Sequence, residues 1–154
     1  MQREPIYLAL QNQLTALMVD PYNVLVVSRG WIHFDEADQQ PAIYIVPKNE
    51  RAEYKRGLPT KWVMELDLYV YSKWSDSVNQ GVSNLAILMD AIEYILSPVG
   101  PNSSQTTTGR ESNSVNSLNG LVVYCALQGV AEISGGFLNR GQTIARMPLE
   151  IMVA

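Results

Sequence analysis

The chain is 154 residues long and 47% hydrophobic, enough for one domain with a sizeable apolar core, and no apolar run approaches the ~20 residues that span a bilayer. Eleven basic against fifteen acidic residues leave a net charge of -4, which argues against tight duplex binding, although an acidic wall suits a path through which DNA merely slides. The start of the chain mixes charges before an amphipathic pattern instead of showing a secretory layout, and the lone Cys125 cannot pair within the chain, so a cytosolic protein with a buried, inert thiol is expected.

From Pro5 to Val19, Ile6, Leu10, Leu14, Leu17 and Met18 recur at helical spacing, between a start at Glu4-Pro5 and a stop at Asp20-Pro21. Val24 to Arg29 and Ala42 to Lys48 are short, β-branched and bounded by Pro or Gly, and read as strands. Trp62 to Tyr71 is the clearest strand. Trp62, Met64, Leu66, Leu68 and Val70 form a dry face, while Val63, Glu65, Asp67, Tyr69 and Tyr71 form a mixed one. Between these strands, Asn49 to Pro59 is a charged hairpin tip with two readings, a solvated loop or a protruding arm at about 49–59. In the second, Arg51, Glu53, Tyr54, Lys55 and Arg56 are candidate protein contacts, since Tyr and Arg are enriched at interface hot spots.

Val82, Leu85, Ala86, Met89, Ile92 and Leu96 form a second helical stripe, widened by Ile87, Leu88, Ala91 and Ile95, and Ser97-Pro98 stops it. Residues 102–119 are rich in Ser, Thr and Asn and read as a flexible polar loop, either mobile or ordered by a partner. Leu121 to Ile133 and Thr143 to Val153 close the chain as a long hairpin. The expected fold is α+β: a single domain with a mainly antiparallel sheet of about five strands and both helices on one face.

Several local patterns suggest chemistry and fail at a named position. Gly136 to Thr143 has the glycine spacing of a phosphate loop, but Gln142 stands where the lysine belongs, and Pro148 with the alternation after Thr143 indicates a strand where a helix is needed. His33, Asp35, Glu36 and Asp38 bunch a nitrogen ligand with carboxylates, without the spacing of a calcium loop or the convergent set of a zinc site. No nucleophile elbow accompanies His33, the only histidine, and Glu65 with Asp67 on one strand face needs no more than a solvated or subunit-facing surface. Asn102-Ser103-Ser104 is a glycosylation sequon without a secretory context. No catalytic residue, cofactor or metal is expected.

The order of blocks resembles the phage tail terminator (tail completion) proteins, the group that includes the lambda-type minor tail protein U. The likeness lies in the N-terminal Arg3 to Leu17 helix, the Ser28-Arg29-Gly30 segment leading to Gln40 to Tyr44, and the strand opening at Lys61-Trp62. It continues in Leu88 to Glu93 with Leu96-Ser97-Pro98, in Tyr124 to Gly129, and in the closing Ala145 to Ile151 strand. The departure is Pro101 to Asn119, longer than the usual loop. The resemblance implies a structural virion protein that forms a homohexameric ring on the head-proximal end of a tail tube. Such a ring stops tube growth, offers a surface to a head-completion or neck protein, and lets genomic DNA pass without specific binding. It would be made in the host cytoplasm and reside at the head-tail junction, with no membrane. Competing readings are a head-tail connector and, from another class, a small cytosolic enzyme or metal-binding module using the His33 loop.

Overall fold

A computed structural model of the chain describes residues 1–33, 36–73, 78–108, 111–135 and 142–154. Helix α1 (Arg3–Leu14) runs into one 3-10 turn, Thr15–Met18. Ile6, Leu10, Leu14 and Leu17 are buried as their spacing predicts, but Met18 is 42% exposed. The cause is the tighter turn. With three residues per turn, Leu17 stays in line with Leu14 and the next side chain rotates outward.

Strand β1 (Val26–Arg29) lies parallel to β2 (Ala42–Glu53), with Val26 beside Ala42. Parallel neighbours need a crossover of about a dozen residues, and the connection over 30–41 supplies it. The hairpin β2–β3 follows, β3 being Lys61–Lys73, and helix α2 spans Val78–Leu96. Strands β4 (Ser104–Thr108) and β5 (Glu111–Val115) form a separate two-stranded sheet. Strands β6 (Tyr124–Leu127) and β7 (Glu132–Gly135) both pair with β8 (Gln142–Val153), so the main sheet has six strands in the order β1-β2-β3-β8-β6, with β7 also on β8. The class is α+β with both helices on one sheet face, and the β1–β2 pair makes the sheet mixed, not purely antiparallel.

The core lies between sheet and helices. Met64, Leu66, Leu68 and Val70 of β3, with their partners Ile151, Leu149, Met147 and Ala145 on β8, pack against Leu10 and Leu14 of α1 and Leu85, Leu88, Ile92 and Ile95 of α2. Helix α2 is rotated from the predicted stripe: Val82, Ala86 and Ile87 are exposed, while Leu88, Ala91 and Ile95 face inward. A helix apolar nearly all round carries too little contrast for its spacing to fix the buried face. Helix α1 is tied to the sheet by Gln11, which donates to the Val27 carbonyl at 2.9 Å, and by ion pairs Arg3–Glu50 and Arg29–Glu4, each at 2.7 Å.

Three segments differ from their sequence reading. Strand β2 runs on through the charged residues to Glu53, which pairs with Lys61, with a register shift between Pro47 and Asn49. The closing hairpin is broken on one side. Leu127 pairs with Leu149 and Glu132 with Arg146, so 128–131 bulge out opposite two residues of β8. Pro148 explains the break. Its carbonyl accepts from the Gln128 amide at 3.1 Å, and within a strand the N and C=O of one residue point the same way, so the missing N–H also faces the bulge. Gly129 has φ +122°, and a Cβ there would meet the Pro148 ring at 3.1 Å, which favours glycine twice over.

The third difference is the tract read as a flexible loop over 102–119. It holds the β4–β5 hairpin and then the buried Asn116, Ser117 and Leu118. Its base is fastened by a reciprocal amide pair: Gln13 Nε2 donates to Asn116 Oδ1 at 3.1 Å, and Asn116 Nδ2 donates to Gln13 Oε1 at 2.7 Å.

Candidate functional site

Alternation gives the sheet two unlike faces. On β8 every second residue from Thr143 to Val153 is buried on the helix side, and Ile144, Arg146, Pro148, Glu150 and Met152 between them are half-exposed on the other. Register then places Tyr69, Asp67, Glu65 and Val63 of β3 beside Arg146, Pro148, Glu150 and Met152 on this second face. At one end it is covered by Ile32 and Ala37. Ala37 packs with Ala42, Tyr44 and Tyr71 in a small second cluster, and the Tyr71 hydroxyl donates to the Ile32 carbonyl at 2.7 Å. Burial there pushes the Tyr71 hydroxyl up to about 12.

Beyond that cover the face carries charge. Arg146 reaches Glu132 at 2.8 Å and Asp67 at 3.4 Å. These two carboxylates raise the Arg146 guanidinium above its ordinary value against the opposing effect of desolvation, which is the largest single influence. Glu65 lies directly opposite Glu150, an arrangement that costs free energy in an antiparallel pair. Each has its own support: Asn49 Nδ2 lies 3.3 Å from Glu65, and the Tyr124 hydroxyl donates a short hydrogen bond to Glu150. That bond, with burial, pushes the Tyr124 hydroxyl up to about 12. A cleft of ≈ 270 Å³ runs between these groups, lined among others by Lys48, Glu65, Asp67, Arg146 and Glu150 and walled by the Gln128 to Val130 bulge.

The candidate contact residues divide. Arg51 and Glu53 lie on the β2 ladder opposite Val63 and Lys61, and their side chains pair at 3.2 Å. Tyr54, Lys55 and Arg56 are exposed in the turn, Tyr54 at 72%. The turn is closed by a bond of 3.0 Å from the Leu58 amide to the Lys55 carbonyl. The charged stretch is therefore a ladder with a short tip, continuous with the half-exposed face through Arg51, which lies 4.0 Å from Glu65.

The patterns that suggested chemistry are placed as follows. Gln142 and Thr143 begin β8, so a strand follows the glycine-spaced segment, whose residues 136–141 lie outside the described ones. His33 meets Trp31 edge to face at 5.7 Å, its carbonyl accepts from the Glu36 amide at 2.9 Å, and Asp35 lies outside the described residues. Among the described residues, no group of three or more His, Cys, Asp or Glu is placed to hold a metal ion. Cys125 is buried against the helices, and burial pushes its thiol up to about 12. No helix among the described residues is long and apolar enough to cross a membrane.

Sequence reasoning missed Arg146, Glu132, Glu150 and Tyr124. The available signal was the regular alternation of the last strand, which sets Arg146 and Glu150 on the face opposite Ala145 and Ile151. The chain matches no protein-family model and no curated protein.

Proposed function

We propose that the chain is a structural assembly protein of the tail-terminator type, forming a ring on the head-proximal end of a phage tail tube. The observation that carries this reading is the two-faced sheet. Both helices lie on one side, while the other presents a half-exposed, charged surface that runs into a hairpin tipped by Tyr54. Such a surface suits contact with another polypeptide better than a pocket suits a small molecule, because its polar groups are spread along three strands instead of converging. The resemblance in block order supplies the kind of assembly.

The mechanism is geometric. A heterologous contact between copies closes into a ring when its rotation divides the circle. One rim then matches the tube end, and the opposite rim, lacking a templating surface, admits no further tube layer but offers a seat to a head-completion or neck protein. DNA passes through the middle, and its own charge is repelled by an acidic chain of net charge -4.

Mixing purified protein with growing tail tubes tests this. The expected result is tubes of arrested length carrying a ring at one end, with a particle mass in solution of several chains. Tubes that keep growing uncapped would overturn the reading, and attachment to portal or neck particles instead would replace it with a connector.

A further inference from the structure

Resting on the assembly reading above, we infer that the cleft on the half-exposed face is a receptor for an arginine side chain of a protein partner. Asp67 is the starting point. It lines the cleft, it is only 6% exposed, and its Oδ1 has no hydrogen-bond partner among the described residues, while Oδ2 accepts from Arg146 at a long 3.4 Å. A buried carboxylate oxygen left unpaired is expensive, and the neighbouring Arg146 is drawn to Glu132 at 2.8 Å through Nη2 while its own buried Nε also lacks a partner among the described residues.

The second observation is independent and lies on the adjacent rung. Glu65 and Glu150 face each other across the β3–β8 pair, two like charges where sheets ordinarily place opposite ones. Their existing supports are a neutral amide, a neutral hydroxyl and an arginine 4.0 Å away. Both carboxylates line the same cleft as Asp67, so three acceptor groups border one space of ≈ 270 Å³, with Pro148 between them as an apolar floor.

The chemistry of the missing group follows. It must be cationic, since the cleft holds three carboxylates against Lys48 and Arg146, and Arg146 is already shared between two acids. It must donate in several directions, because its acceptors sit on different rungs. A guanidinium satisfies both demands: it is planar, carries five N–H donors, and is more weakly hydrated than an ammonium. Its face would lie on the Pro148 ring while its edge addresses the acids. A side chain is the fitting carrier, because the cleft lies on the half-exposed face of the sheet, where another polypeptide would make contact.

The test uses a capped glycyl-arginyl-glycine peptide, with lysine and citrulline analogues, observed by saturation-transfer NMR on the purified protein alone. The arginine peptide should bind in the millimolar range, the lysine peptide more weakly, and the uncharged citrulline peptide not at all. Glu150→Gln and Asp67→Asn should each weaken arginine binding by about tenfold, the loss expected for one charge-assisted hydrogen bond. Glu150 is half-exposed, so its variant keeps the test valid should Asp67→Asn disturb folding. Absence of saturation transfer, or equal transfer from the citrulline peptide, would overturn the inference. Because no tube is present, such a failure is distinguishable from failure to cap tubes.

Discussion

Asn116→Ala asks how firmly the β4–β5 hairpin is fastened to the first helix. The residue makes two side-chain bonds with Gln13, at 2.7 and 3.1 Å, and its Oδ1 also accepts from the Leu118 amide at 3.2 Å. Asn116 is 1% exposed and Gln13 7%, so water does not replace what is lost. Each of the three bonds contributes about 1 kcal/mol net, and stranding the Gln13 amide adds ~1–3 kcal/mol, so a loss of about 4–6 kcal/mol is expected. In a domain of this size that lowers Tm by roughly 8–24 °C. Gln13→Ala should cost less, about 3–5 kcal/mol, because it strands Asn116 Nδ2 but Asn116 Oδ1 keeps the Leu118 amide. The double variant should then be milder than the sum by ~1–2 kcal/mol, since the second change removes a partner already stranded. Urea unfolding of the four proteins of the cycle measures this. Strict additivity, or an Asn116→Ala loss below about 0.5 kcal/mol, would show that the pair is not coupled and that the hairpin base is held by other contacts.

Other substitutions separate core from surface. Leu68→Ala, in the middle of β3 with no exposed area, should cost about 3 kcal/mol in urea unfolding. The triple change Arg51→Ala, Tyr54→Ala and Arg56→Ala should stay within about 1 kcal/mol of the parent while weakening ring or tube association in sedimentation, because these side chains are exposed. Cys125 has an ordinary value of 9.0 raised to about 12, so its protonated form stabilises the fold fully below pH 9 and that contribution disappears as pH rises toward 12. A thiol reagent at pH 8 should therefore react only in denaturant; rapid labelling of the native protein would contradict the burial. Glu150→Gln should bring the Tyr124 hydroxyl down from about 12 toward 10.0, read as an earlier phenolate absorbance in a spectrophotometric titration.

How much of this was legible depended on contrast. The strands around Leu66 and Leu149 alternate between apolar and polar side chains, and a period of two survives any reading frame. The extension of β2 did not announce itself. Its Glu50 meets Arg3 on the helix side, while Arg51 and Glu53 pair on the other, so both faces are polar and the alternation is chemically silent. The break after Leu127 is written in a different strand, at Pro148, twenty-one positions away in sequence. The Ser, Thr and Asn tract misled for another reason: Asn116 is buried by hydrogen bonding, not by hydrophobicity, and composition alone does not distinguish an amide that finds a partner from one that stays in water. The face opposite the helices is partly visible in the sequence, since Glu65 and Asp67 stand two apart on one side of an alternating strand. Their cross-strand neighbours required the register.

The place of β8 has a consequence for how the protein is made. This strand borders β3, β6 and β7 at once, yet it follows all three along the chain. A ribosome that has delivered every residue before Gln142 has released β3 with one edge bare and two short strands with nothing to join. The sheet therefore closes after synthesis has passed residue 142, in a late zippering step between distant segments, which is the slow kind. Until then the apolar face of β3 depends on the helices alone for shelter. A frameshift or nonsense change between β3 and β8 should yield not a weakened subunit but an aggregation-prone fragment.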